Sequence, residues 1–142
     1  MQTTVFSVAA GLGLFAAGFL CATAMSSHAA SKTRVFELRT YTAAPGKLED
    51  LKARFRNHTV QLFKKHGMTN IGYWVPQDAP ASQNTLIYVL AHESREAAKK
   101  SFDGFRADPA WVKAREASEV NGKLAVKVES VFMDPTDFSP TK

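Results

Sequence analysis

The chain has 142 residues, with 18 Lys and Arg against 13 Asp and Glu and a formal net charge of +5. That length accommodates one domain plus at most a tail. The cations alternate with acids (Lys47 with Glu49 and Asp50, Arg95 with Glu96, Arg115 with Glu116) and form no dense basic block interleaved with aromatics, which excludes nucleic acid from the expected partners.

No Lys, Arg, Asp or Glu precedes Lys32, and the run from Val5 to Met25 is almost wholly apolar and rich in Gly and Ala. As a helix rising ~1.5 Å per residue, such a run would reach roughly 30 Å, the thickness of a bilayer core. Two readings follow for residues 1–29. One is a cleaved export signal, with small residues at Ser27-His28-Ala29 before a cut at Ala30. The other is a retained membrane anchor, and Lys32 and Arg34 after the apolar run favour keeping that flank inside. The expectation is export to the periplasm or beyond, with anchoring by residues 5–25 as the alternative. Cys21, the one cysteine, lies in the apolar run, so the domain of residues 30–142 has no disulfide, zinc–thiolate site or thiol nucleophile.

Within that domain, strand one is expected from about Arg34 to Tyr41. Phe36, Leu38 and Thr40 share one face, and Val35, Glu37, Arg39 and Tyr41 the other. Ala44-Pro45-Gly46 breaks the strand. Helix one then runs from about Lys47 to Lys65 on an apolar stripe of Leu48, Leu51, Phe55 and Leu62, stopped by Gly67. Strand two covers Thr69 to Val75, and a polar loop from Gln77 to Asn84 serves as a hairpin connection or a lid. Strand three, Thr85 to Ala91, is apolar at both parities, as expected of a strand covered on both sides. Ser94 caps a helix from about Arg95 to Arg106, and Asp108-Pro109 restarts one. Strand four spans about Lys123 to Met133, and Phe138 is expected to pin the irregular tail to the body.

The order βαββαβ predicts an α+β, ferredoxin-like fold: a four-stranded antiparallel sheet with its helices on one face. The two-faced strand three demands a cover for the other face, and a second copy of the same sheet is the simplest one. A homodimer is therefore expected, with Glu37 and Arg39 paired near its interface.

The residues that pace these elements resemble the NIPSNAP family, within the dimeric α+β barrel superfamily. They are Phe36-Glu37-Leu38-Arg39-Thr40-Tyr41, Pro45-Gly46-Lys47, His58, His66-Gly67, Gly72-Tyr73-Trp74, Asp108-Pro109-Ala110-Trp111 and Phe138-Ser139-Pro140, covering about Val35 to Pro140. The resemblance implies the same fold and dimer and no settled activity. Animal members are associated with mitochondria and vesicle trafficking. The single domain and the apolar N-terminal segment depart from them, so those roles are not carried over. Wider relatives include cofactor-free oxygenases, isomerases and haem enzymes, which place ligands between sheet and helices; that is analogy at the level of fold.

Candidate chemistry is sparse. His58 takes a core-facing phase among Leu51, Phe55 and Leu62, where an imidazole would be a general base or a hydrogen-bonded interior histidine. Tyr73 and Trp74 point to opposite faces of strand two, one toward a helix-side pocket and the other toward the dimer face. Arg39 beside Glu37 would hold a ligand carboxylate or form a structural ion pair, and Tyr41 is a further lining candidate. His58 and His66 are two helical turns apart, roughly 12 Å of rise, too far to share a metal. His92 at a strand end is a poor haem ligand, and there is no GxGxxG, P-loop or GxSxG. No cofactor or metal is expected. The expected role is binding a small apolar or carboxylate molecule between sheet and helices. A cofactor-independent oxygenase or isomerase with His58 as base is one alternative, and an interaction module without a usable pocket is another.

Overall fold

The computed structural model describes residues 33–142, so the apolar N-terminal segment and its expected fate lie outside the described residues. Strands β1 (Val35–Ala43), β2 (Thr69–Trp74), β3 (Thr85–His92) and β4 (Ala125–Met133) form one sheet in the order β2-β3-β1-β4, every neighbouring pair antiparallel. Helical segments α1 (Leu48–Arg54), α2 (Val60–Lys65), α3 (Arg95–Ala107) and α4 (Pro109–Ser118) complete the βαββαβ order of an α+β, ferredoxin-like fold. Among the described residues no helix is long and apolar enough to cross a membrane.

Local chemistry explains the boundaries. Gly67 adopts φ +80°, which a side chain would disfavour, and lets its own N–H and that of Met68 bond back to Lys64 and Phe63 carbonyls, closing α2. The Ser94 hydroxyl accepts from the Ala97 N–H at 3.1 Å and starts α3. The Asp108 carboxylate accepts from the Ala110 N–H at 2.9 Å, with Pro109 at the first helical position of α4. Asp108 also takes Lys65 and His66 at 2.7 Å each, so one buried carboxylate caps α4 and ties it to the end of α2.

The core lies between the helices and one sheet face. Leu51, Phe55 and Phe63 meet Leu86, Tyr88 and Leu90 of β3, with Phe102 and Phe105 from α3 closing the layer. Phe63 contacts Phe105 edge-on at 4.8 Å, and Trp111 packs on Phe105 at 4.4 Å.

Three expectations need correction. The helix after β1 is not a continuous α-helix, because Phe55–Thr59 forms a π turn between α1 and α2. The wider turn absorbs one extra residue, so Thr59 takes the inward place after Phe55, and His58 is exposed rather than core-facing. Second, Glu37 and Arg39 face the helices, not the open sheet face. They pair across with Leu90 and Tyr88, both in the helix-side core, while Phe36, Leu38 and Thr40 face the other way. Third, Phe138 is 83% exposed and does not pin the tail. The tail is instead held near the start of β1, where Arg34 Nε donates to the Lys142 carbonyl at 2.9 Å.

Candidate functional site

Between the helical rod and the free edge of β2 lies a hollow of about 270 Å³, lined by Lys52, Phe55, Arg56, Val60, Tyr73, Trp74, Val75 and Leu86. The π turn supplies Phe55 and Arg56, and π turns of this kind recur at functional sites. Phe55 and Leu86 form a buried floor. The Tyr73 ring stacks on Tyr88 at 5.3 Å, and its hydroxyl donates to Asn70 Oδ1. Asn70 Nδ2 in turn donates to the Val60 carbonyl at 3.1 Å, fastening β2 to α2. Burial pushes the Tyr73 phenol up, and nearby Tyr41 adds to the effect, so it remains a neutral donor at physiological pH.

Trp74 rounds the edge of β2 and is 53% exposed. Its indole lies over Gly72, where an added Cβ would fall 2.5 Å from the ring. Only the missing side chain of Gly72 allows that approach. Tyr73 and Trp74 thus occupy opposite sheet faces, yet both border the same hollow because it wraps the strand edge.

Arg39 and Tyr41 lie away from this hollow. Arg39 Nη1 donates to Glu37 Oε1 at 2.7 Å, and its guanidinium sits 4.5 Å over the Phe102 ring. Ser130 Oγ donates to the same oxygen at 2.5 Å, and His92 Nε2 bonds Glu37 Oε2 at 3.1 Å. Burial alone would raise the Glu37 pKa, but the bonds from His92 and Ser130 and the charge of Arg39 outweigh it and hold the carboxyl below its ordinary value. For Arg39, burial opposes the charge and is outweighed by attractions among which ionised Glu37 is the one present at neutral pH, so it stays fully protonated. An ionised Glu37 can only accept, which places the proton on His92 Nε2. Arg39 thus forms an ion pair with Glu37 on the helix side of the sheet. Tyr41 packs edge-on against Phe55 at 5.6 Å and tilted on Tyr88 at 5.4 Å, as part of the aromatic core.

His58 lines a separate outer groove between the rod and α4, with Lys47, Asp50, Asn57, Ala114 and Ala117 among its neighbours. Sequence reasoning overlooked Phe55, Arg56, Lys52 and Val60 as lining residues, because the stripe that marks Phe55 as core does not reveal the hollow at its edge. It also overlooked His92 and Ser130 as partners of Glu37; the register Val35 to His92 and Arg39 to Ser130 brings them there, and no short motif signals it. Among the described residues, no three potential metal ligands converge.

No curated protein matches the chain. A NIPSNAP family protein of unknown function from Agrobacterium tumefaciens is similar in structure, with a TM-score of 0.67 at 21% identity over 79% of this chain and 96% of that one. A NIPSNAP-like domain protein from Burkholderia xenovorans gives 0.66 at 19% identity, covering 77% and 90%. SnoaB, a cofactor-independent oxygenase from Streptomyces nogalater, gives 0.52 at 12% identity, covering 76% and 98%, a likeness of fold alone. The NIPSNAP family profile matches residues 36–140, nearly the whole described domain, and the chain therefore belongs to the NIPSNAP family.

Proposed function

We infer that this domain binds a small, largely apolar molecule in the hollow between the helical rod and β2, and that it works as a homodimer. The observation that carries the binding reading is the hollow itself: Phe55, Val60, Tyr73 and Trp74 surround about 270 Å³, close to the roughly 300 Å³ at which ligand pockets begin. An interaction module without a usable pocket would have this space filled by side chains. The catalytic alternative finds little support here. The titratable lining is Lys52, Arg56 and Tyr73, and the histidine first considered as base borders a different groove.

The dimer reading rests on the open sheet face. Ile71, Trp74 and Val131 are 40%, 53% and 55% exposed, and Leu38, Ile87 and Val89 lie between them only partly covered. An apolar face of that extent calls for a partner, and a second copy supplies a matching one.

The test for binding is Val60→Phe, which narrows the hollow without removing a polar group or adding an indole beside Trp74. Small apolar probes should quench or shift Trp74 fluorescence in the wild type and lose that effect in the variant. Equal binding by both proteins would show that the ligand sits elsewhere.

A further inference from the structure

The hollow is chemically lopsided. Its floor is apolar, and its donors are already engaged, since the Tyr73 hydroxyl donates to Asn70 and Asn70 to the Val60 carbonyl. A ligand carboxylate, which only accepts, therefore finds no free donor deep in the hollow and must face the rim. The rim carries two cations, Lys52 and Arg56, and no acidic residue lines the space.

Several cations of the domain are committed to acidic partners. Arg39 is taken by Glu37, Arg54 by Glu119, Lys65 by Asp108, and Lys99 and Arg106 by Asp103. Arg56 is exposed and has no ion pair or hydrogen bond among the described residues. Lys52 holds only Glu49 at 2.7 Å, a partner that is itself 77% exposed, and such surface pairs are weak and readily exchanged. A guanidinium beside an apolar wall favours a planar anion that accepts two parallel N–H bonds.

We propose that the hollow is a site for a small amphipathic carboxylate, its apolar body on Phe55, Val60 and Tyr73 and its carboxylate on Arg56, with Lys52 as second cation. This rests on the binding reading above and replaces Arg39, the residue expected to hold a carboxylate, with Arg56. The site selects an acid with a short apolar chain or a single ring over the corresponding alcohol or ester.

The experiment is a titration of Trp74 fluorescence in the purified full chain with octanoate and, separately, octanol. Trp74→Phe identifies the reporter against Trp111, which is packed on Phe105 and Arg54. Octanoate should bind about tenfold more tightly than octanol, as one charge-assisted contact allows. Arg56→Gln should reduce that preference and Arg56→Gln with Lys52→Gln should abolish it, while leaving octanol affinity within about twofold. If octanol binds as tightly as octanoate in the wild type, or the preference survives in the double variant, the carboxylate assignment is overturned and the apolar pocket stands. If neither probe binds, both fall.

Discussion

His92 Nε2 stands 3.1 Å from Glu37 Oε2, and both side chains are at most 2% exposed. The two residues lie far apart in the chain, and antiparallel pairing of β1 with β3 brings them together under α3. Ser130 from β4 and Arg39 from β1 complete the coordination of the carboxylate, so three of the four strands meet at one buried anion. Such a network specifies register as well as contributing energy, because a two-residue slip of β3 or β4 against β1 would cost Glu37 its His92 or its Ser130 bond.

Removing one member should cost more than removing the pair. Glu37→Leu leaves the Arg39 guanidinium charged beneath α3 and should destabilise the domain by about 3–5 kcal/mol. Adding Arg39→Leu should recover most of that loss. Urea denaturation of the two single variants and the double variant checks this; additive losses would mean that the ion pair is not the coupled unit.

Glu37 also sets a pH dependence. Its folded pKa lies below its unfolded value, so in acid the unfolded chain binds the extra proton first. Its contribution is fully present above the unfolded carboxylate pKa of about 4.3 and is lost as pH falls through the lower folded value. Thermal melts of the wild type should therefore fall more steeply below about pH 4 than those of Glu37→Gln. Parallel curves would show that other carboxylates dominate.

Tyr88 offers the opposite kind of test. It is fully buried, and its hydroxyl has no hydrogen-bond partner among the described residues. Burial drives its pKa well above the ordinary phenol value, with Tyr41 adding to the rise, so it stays neutral. Tyr88→Phe removes a desolvated polar atom at nearly constant volume and should raise stability by about 1 kcal/mol, or roughly 4–8 °C in Tm for a domain of this size. A lower Tm would reveal a working bond to Tyr41.

The open sheet face makes a prediction about assembly. Leu38 sits mid-strand on that face, opposite Val89 and Val131. Leu38→Asp should convert the expected homodimer to a monomer in analytical ultracentrifugation while leaving the far-UV spectrum unchanged, because the side chain points away from the helix-side core. A wild type that sediments as a monomer at micromolar concentration would remove the reason for the apolar face.

Much of the architecture is legible in the residues. The caps at Ser94 and Asp108 and the stop at Gly67 fall where side-chain chemistry places them, and strand order follows from the alternation of patterns. The facing of β1 is harder. Both parities of β3 are apolar, so its neighbour could be turned either way, and Glu37 with Arg39 resembles a surface pair until His92 and Ser130 are in place. The π turn is harder still. Leu51, Phe55 and Leu62 suit an uninterrupted α-helix equally well, and no residue in Phe55–Thr59 announces the extra unit that swings His58 outward. The hollow beside it is a property of spacing between two elements, which local pattern does not encode.

The joining of Arg34 to the Lys142 carbonyl bears on how the domain would be displayed. Both ends of the described chain gather where β1 begins. Trp74, at the mouth of the hollow, pairs with Ile87 and lies level with Thr40, five residues and about 17 Å further along β1. A domain held by whatever precedes Thr33 would therefore offer its hollow away from the attachment. A probe fused at either end would leave Arg56 unobstructed.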